Sequence, residues 1–288
     1  MDSALLRATV QSIDPPDHAL ASETQSRLDN LTKPIGSLGA LEDTARRLVA
    51  ATGCHEPRFQ ARRVLVFAAD HGVTEEGVSA YPSEVTAQMV LNFLAGGAAI
   101  NVLASHAGAK VVVVDVGVAA DLGAPEGLVE RKVARGTRNL RAEPAMQRAA
   151  ALPATRVAID LATRGMEAGV DILAMGEMGI GNTTAATAIT SVVTGLPVSG
   201  LTGSGAGIDA ERRAHKAQVI DDALRLHAPD VGDPVGLLAA VGGFEIGAIA
   251  GATLAAASRR VPVVVDGFIS TAGALVASLL CPGATATM

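Results

Sequence analysis

The ten residues Met175-Gly176-Glu177-Met178-Gly179-Ile180-Gly181-Asn182-Thr183-Thr184 decide the fold of this chain. An apolar run at 170–174, broken only by an aspartate, precedes them, and a segment rich in Ala, Thr, Ile and Val follows. This order predicts a strand, a glycine turn and a helix start. Gly179 and Gly181 can adopt positive φ angles that aim backbone N–H groups into one concavity, and the dipole of a helix beginning near Asn182 favours an anion there. The stretch therefore predicts a phosphate site, to which the two threonines add hydroxyl donors.

Glu177 is the unexpected member of this stretch, because a carboxylate beside an anion site is repelled by the anion. It is better placed to handle a proton or a cationic ring. A plainer interpretation stays open, since glycines after a strand often form only a tight connection to the next helix. The stretch matches neither common phosphate loop: it lacks a Gly-Lys-Ser/Thr ending and the third glycine of the dinucleotide fingerprint.

The composition favours a compact protein with local rather than extended charge. The chain has 288 residues, of which 49% are hydrophobic and 18% charged, enough for a large core. It contains no Trp and a single Tyr, which argues against an aromatic platform for single-stranded nucleic acid. A formal net charge of −6 argues against a general nucleic-acid or anionic-membrane surface.

The sequence predicts a cytoplasmic protein without a membrane segment. Cys54 and Cys281 lie far apart and outside any CxxC pair, as in a reduced protein with two incidental thiols. Residues 1–17 carry three aspartates and no long apolar core, so no signal peptide is predicted. The uncharged run 246–258 is shorter than the roughly twenty residues that a span needs, and we expect a buried helix there.

Strand and helix patterns alternate through most of the chain, which predicts an α/β fold with a doubly wound, mainly parallel, Rossmann-like sheet covered on both faces. Residues from about 2 to 48 are predicted to be helical, with breaks at Pro15-Pro16 and at 31–39. We expect two units, a small helical domain at 1–60 and an α/β domain at 61–288. The predicted strands are 63–69, 109–116, 170–174 and 261–265.

Several predicted strands end in an acid or a glycine turn, and open α/β sheets bind ligands at such ends. Asp70, Glu177 and Asp266 are therefore expected to meet at one edge with the two glycine loops, the second being 202–207. Residues 136–139 are predicted to turn back towards this edge. For Asp70, a plain role as a turn acid stays open.

Residues 83–89 are predicted to start a helix, with Ser83 as its N-cap. Gln88 could lie on the surface and Met89 in the core. Both could instead line a pocket for a flat apolar ligand, but the residues alone favour the first interpretation for both.

Five motifs, in order between about residues 31 and 280, resemble the nicotinate-nucleotide:dimethylbenzimidazole phosphoribosyltransferase family. They are Thr32-Lys33-Pro34-Ile35-Gly36-Ser37-Leu38-Gly39, Ala69-Asp70-His71-Gly72-Val73, Tyr81-Pro82 with Thr86-Ala87-Gln88-Met89, Gly176 to Thr184, and Val265-Asp266-Gly267-Phe268-Ile269. Five ordered motifs are far more specific than one glycine loop. The resemblance implies a glycosyltransferase of the pentosyl class that moves phosphoribose from nicotinate mononucleotide to 5,6-dimethylbenzimidazole in cobalamin synthesis. It also implies a homodimer with no metal or cofactor.

The resemblance assigns roles to residues of this chain. The expected phosphate and ribose contacts are Gly179, Ile180, Gly181, Asn182, Thr183, Thr184, Gly203, Ser204 and Gly205. The expected benzimidazole contacts are Ser79, Tyr81, Gln88 and Met89. From its place beside the phosphate loop, rather than from the resemblance, Glu177 is the candidate catalytic base in this chain, and Asp70, Asp266 and Lys216 are further candidates.

The chain departs from the resembled family at its C-terminal end. Members usually continue to a Gly-Glu-Gly-Thr-Gly segment whose Glu is the expected base, whereas this chain stops at Met288. We therefore expect part of the small helical domain to be missing. Three explanations compete: a working transferase that uses Glu177, a truncated and weak enzyme, or a binding-only relative that holds nicotinate mononucleotide or an azole. A nucleotide-dependent oxidoreductase on the same sheet lacks the third glycine and a ribose-binding acid.

Overall fold

The computed structural model describes residues 4–288 and contains one five-stranded parallel sheet. Its strands are β1 (Arg62–Ala69), β2 (Ala109–Gly117), β3 (Leu128–Glu130), β4 (Ile172–Met178) and β5 (Val263–Val264). They lie in the order β3-β2-β1-β4-β5, and every neighbouring pair is parallel. The chain moves outward from β1 to β3 and then returns to the other side of β1 for β4. This order places a topological switch point between β1 and β4, where open α/β sheets bind ligands.

Helices cover both faces of the sheet. In the described range they are α1 (Ala4–Gln11), α2 (His18–Asp29), α3 (Ala40–Thr52), α4 (Glu84–Leu94), α5 (Ala99–His106), α6 (Arg148–Glu167), α7 (Asn182–Thr194), α8 (Val198–Leu201), α9 (Ala210–His227), α10 (Pro234–Val241), α11 (Phe244–Ser258) and α12 (Phe268–Leu280). Two 3₁₀ segments, Gly72–Glu76 and Pro282–Thr287, complete the regular structure. The predicted doubly wound α/β fold is confirmed.

Most element boundaries follow the predictions, with four differences. Strand β4 spans Ile172–Met178 instead of 170–174, so Glu177 lies within the strand. Helices α1 to α3 confirm the N-terminal prediction and its two breaks, although its first residue, Asp2, lies outside the described residues. Strand β5 has two residues instead of five, and β3 forms within the polar excursion after β2, where no strand was predicted. Ser83 occupies the N-cap position of α4, but its backbone is helical and its side chain accepts no capping hydrogen bond.

The larger core lies between one face of the sheet and a layer built around α11. Side chains of β1 alternate, so Leu65 and Phe67 join this core while Val66 and Ala68 face α4 and α5. Every residue of α11 except Ser258 is buried, which confirms the predicted buried helix. A Cβ atom at Gly251 would lie 2.1 Å from the Thr155 carbonyl oxygen, so glycine permits the close packing of α11 on α6.

The stretch Glu84–His106 is long and apolar enough to cross a membrane by length and composition alone. The structure divides it into α4 and α5, with a turn at Gly96 and Gly97 between them. Both helices pack one side against the sheet through residues such as Val90 and Phe93. A continuous spanning helix is therefore not present in this stretch.

The three N-terminal helices do not form one separate layer. Helix α1 packs on α6 and α11 and places Leu6 in the larger core, whereas α2 and α3 pair with each other. Helix α3 also contacts the 3₁₀ segment Pro282–Thr287, so the two ends of the chain meet. The division into units at 1–60 and 61–288 stays a prediction.

Candidate active site

The ends of β1 and β4 bring two sequence motifs into contact. Phe67 of β1 is in register with Glu177 of β4. Asp70 and His71 therefore leave the sheet beside the first glycine loop, residues 179–181, which is called the glycine loop below. A Cβ atom at Gly179 would lie 2.3 Å from the Ala69 carbonyl oxygen. Only glycine therefore lets the loop pass this close over the end of β1.

The glycine loop differs from the predicted cradle in two respects. Gly181, which precedes α7, has φ +94°, but Gly179 has no positive φ and is required by the close approach instead. The Ile180 N–H donates to Thr86 Oγ1 of α4 at 3.1 Å and is not available to a ligand. The Thr184 hydroxyl oxygen, in contrast, is buried without a hydrogen-bond partner among the described residues.

Glu177 is partly buried at the end of β4, and its Oε2 accepts a short hydrogen bond from Asn182 Nδ2. Burial raises the pKa of Glu177 to about 7, and the negative charge of Glu245 adds to the effect. The Asn182 hydrogen bond and the charge of His71 act in the opposite direction. Glu177 can therefore accept or release a proton near neutral pH.

Lys216 joins the two glycine loops. It lies in α9 with 2% of its surface exposed, and its Nζ donates to Thr183 Oγ1 at 2.5 Å. A Cβ atom at Gly205 would lie 3.5 Å from both of these atoms. Burial lowers the pKa of Lys216 to about 8. The structure thus places a buried cation beside the start of α7, while Gly203 and Ser204 lie in the exposed part of the second loop.

The predicted benzimidazole contacts lie around the start of α4. Ser79 Oγ accepts from the Tyr81 N–H at 3.2 Å in the preceding loop, and the Tyr81 side chain is exposed. Met89 is three residues from Thr86 and shares the helix face that contacts the glycine loop. Gln88 is exposed and two residues from Thr86, so it does not share that face.

The three predicted acids do not share one environment. Asp70 Oδ2 accepts from the Ala119 N–H at 2.8 Å, and Oδ1 has no partner among the described residues. Asp70 and Glu177 lie close enough to His71 for both charges to raise its pKa. Asp266 is exposed and lines a groove with Ile100 of α5.

The predicted return of residues 136–139 to the site is confirmed. The Thr137 N–H donates to the Asp70 carbonyl oxygen at 2.9 Å, and the Gly72 N–H donates to the Thr137 carbonyl oxygen at 3.1 Å. The polar excursion after β2 therefore fixes the backbone on which Asp70 and His71 lie.

One pair of site residues was not predicted. His71 Nε2 lies 2.6 Å from Glu245 Oε1, and both side chains are fully buried. Glu245 is in the first turn of α11 and is the only charged residue of that helix. A charge that is buried in an apolar helix has to be paired, so this lone glutamate was the available signal.

The sheet order and this strand-end site define an α/β protein with a buried lysine and a titratable carboxylate at its switch point. Residues 13–288 match the family described as Phosphoribosyltransferase (DBI_PRT), and the chain belongs to that family.

Known relatives agree with the family over nearly the whole chain. A nicotinate-nucleotide–dimethylbenzimidazole phosphoribosyltransferase of Roseiflexus sp. (strain RS-1) is 55% identical, over 97% of this chain and 79% of its own length. The protein of the same name from Geobacter sulfurreducens is 56% identical, over 96% of this chain and 79% of its own length. The crystal structure of CobT from Thermus thermophilus is 46% identical, with a TM-score of 0.89, and the match covers 93% of this chain and 80% of that one.

Proposed function

We propose that this chain transfers phosphoribose from nicotinate mononucleotide to 5,6-dimethylbenzimidazole, giving α-ribazole 5′-phosphate and nicotinate. The relatives at 53–56% identity carry this activity in their names. Similarity of this degree over at least 96% of the chain supports the transfer of their substrates to it.

The observation that carries the proposal is that Glu177 and Lys216 each hydrogen-bond a residue at the start of α7, Glu177 to Asn182 and Lys216 to Thr183. Lys216, held by Thr183, offers a positive charge beside a helix N-terminus, which suits the 5′-phosphate. Glu177 lies at the end of the adjoining strand with a pKa of about 7. An anion site and a proton acceptor are the two groups that this reaction requires.

The proposed step is a displacement at C1 of the ribose. A ring nitrogen of the benzimidazole forms a bond to C1 while the bond from C1 to the nicotinate nitrogen breaks. The proton of the other benzimidazole nitrogen passes to the Glu177 carboxylate as the ring loses its excess positive charge. In this proposal Gly179 to Thr184 hold the phosphate through groups other than the Ile180 N–H, and Gly203 to Gly205 lie near the ribose. Ser79, Tyr81 and Met89 line the benzimidazole pocket, and Gln88 adds to its rim from the neighbouring face of α4.

A single assay tests this function. Purified protein is incubated with nicotinate mononucleotide and 5,6-dimethylbenzimidazole, and nicotinate release is followed for the wild type and Glu177→Gln. We expect release by the wild type that the substitution reduces by about 10²-fold or more, as for loss of a general base. Glu42→Gln is the matched control, because Glu42, which lies in α3, is also buried but is paired with Lys33.

The binding-only alternative makes a different prediction in the same experiment. Nicotinate mononucleotide would bind by calorimetry, but no nicotinate would be released with either protein. Release that is unaffected by Glu177→Gln would keep the transferase function and remove Glu177 as its base.

The same proposal includes a homodimer in the cytoplasm. Exposed apolar side chains on α4 and α5, including Leu91, Val102 and Leu103, offer a surface for self-association. Two free cysteines, Cys54 and Cys281, suit a reducing compartment. Sedimentation equilibrium tests the dimer, and a monomer at micromolar concentration would contradict it.

A further inference from the structure

The His71 imidazole occupies a slot lined by three glycines. A Cβ atom at Gly243 would lie 2.5 Å from His71 Cε1, and one at Gly179 would lie 3.3 Å from Cδ2. A Cβ atom at Gly181 would lie 3.3 Å from His71 Cβ. The ring is therefore enclosed between the glycine loop on one side and the start of α11 on the other.

Glu245 completes this slot from α11. Its Oε1 lies 2.6 Å from His71 Nε2, whereas Oε2 and His71 Nδ1 have no hydrogen-bond partner among the described residues. Replacing a buried pair of this kind with apolar residues is often neutral or stabilising, so stability alone does not account for it. The proposed reaction leaves both residues without a role.

We propose that His71 and Glu245 are positioning residues for the transferase site. They pack against the glycine loop and support it, and they place two opposite charges beside the Glu177 carboxylate. The inference rests on the proposed function for its purpose. Its physical content, which is the coupling of Glu245 to Glu177, concerns the free protein and is measurable without turnover.

The electrostatics give this coupling a sign. Burial by itself would lower the pKa of His71, but the charge and hydrogen bond of Glu245, together with the charges of Asp70 and Glu177, raise it. Burial and then Glu245 raise the pKa of Glu177, and the opposing effect of His71 is smaller. Removing the charge of Glu245 also favours a neutral His71. Glu245→Gln therefore removes the effect of Glu245, which raises the pKa of Glu177, together with the smaller effect of His71, which lowers it. The pKa of Glu177 should fall as a result.

The groups whose charge or hydrogen bond acts on Glu177 come from three elements. His71 follows β1, Glu245 belongs to α11, and Asn182 begins α7. Asp70, which also follows β1, acts on His71. Lys216 of α9 is connected through Thr183. Replacing Glu245 alters the charge of the His71 and Glu245 pair and leaves the other groups in place. The substitution therefore isolates the effect of this pair on the pKa of Glu177.

The test is a ¹³C NMR titration of the glutamate carboxyl groups in the full chain, with the Glu177 signal assigned by its loss in Glu177→Gln. In the wild type we expect the Glu177 signal to titrate near pH 7. In Glu245→Gln its midpoint should move to lower pH, and in the control Glu42→Gln it should not move. An unchanged midpoint in Glu245→Gln would overturn the inference.

A second signal reports the pair itself. The ¹⁵N signals of His71 should show protonation of the ring at a lower pH in Glu245→Gln than in the wild type, because Glu245 raises the pKa of His71. Should the single variant fail to fold, His71→Gln/Glu245→Gln leaves no unpaired buried charge, and the same shift of the Glu177 midpoint is expected. A midpoint that stays in place in the double variant would equally overturn the inference.

Kinetics separate positioning from a purely structural role. In the assay of nicotinate release, the acid limb of the kcat profile of Glu245→Gln should move to lower pH with the Glu177 midpoint. A loss of kcat at every pH without a shift of the limb would contradict the inference. If the wild type released no nicotinate, the proposed function would fail, while the NMR titration would still decide the coupling.

Discussion

Glu177→Gln should make the protein more stable at neutral and alkaline pH, although it removes the proposed proton acceptor. Burial first, and the charge of Glu245 second, move the pKa of Glu177 from 4.5 to about 7. At about 1.4 kcal/mol for each pH unit, this change corresponds to roughly 3 kcal/mol by which the folded state disfavours the carboxylate. Gln keeps the shape of the side chain and an oxygen that can accept from Asn182, but carries no charge.

The sign of the effect follows from proton linkage. A raised pKa means that the folded protein holds the Glu177 proton more tightly than the unfolded chain does. Below 4.5 both states are protonated and the group costs nothing, whereas between 4.5 and about 7 the free energy of unfolding falls as pH rises. Above about 7 the full cost remains. The gain from Glu177→Gln should therefore be near 3 kcal/mol at about pH 8.5 and under about 1 kcal/mol at about pH 5.

Urea unfolding of both proteins at these two pH values is the assay. At about 2 °C for each kcal/mol in a chain of this size, thermal unfolding should show a gain of about 6 °C under alkaline conditions. The matched control is Glu42→Gln, which should lower stability at neutral pH, because hydrogen bonds from Lys33 and the Leu38 N–H lower the pKa of Glu42. The reasoning would be refuted by a Glu177→Gln protein with no gain at alkaline pH, or with an equal gain at both.

Three other substitutions give separate tests. Lys216→Met should raise the KM for nicotinate mononucleotide about tenfold or more, because hydrogen bonds to charged groups contribute about 1.5–3 kcal/mol. In the wild type the same KM should rise above pH 8, because Lys216 loses its proton there. A KM that does not change with pH would contradict this. Gly181→Ala should lower the free energy of unfolding in urea more than Gly195→Ala does. Both glycines have positive φ, a conformation that costs an L-residue about 1–2 kcal/mol. Only at Gly181 would the added Cβ atom also contact Thr74 Cγ2, at 2.9 Å. Gly251→Ala should cost about 1–3 kcal/mol by overpacking α11 against α6, whereas Gly200→Ala, with its nearest contact at 3.8 Å, should be tolerated, and equal midpoints for the two would refute the packing argument.

The local chemistry of this chain could be predicted from its sequence. Alternating strand and helix patterns indicated the parallel α/β sheet, because hydrophobic periodicity records which face of each element is buried. The stretch from Met175 to Thr184 predicted a strand, a turn and a helix start, and β4 and α7 lie there. Glu177 was singled out on chemical grounds, because a carboxylate beside a predicted anion site is repelled by the anion and has no structural purpose of its own.

What the sequence did not determine depends on contacts between distant segments. Gly179 is needed because a Cβ atom there would collide with the Ala69 carbonyl oxygen of β1. The Ile180 N–H is not free because it donates to Thr86 Oγ1 of α4. Glu245 lies 174 residues from His71, and Lys216 lies 33 residues from Thr183. No local pattern encodes these distances, because strand order and helix packing set them. Side-chain burial, and with it the pKa values of Glu177 and Lys216, was therefore decided only by the tertiary structure, since the cost of a charge depends on what surrounds it.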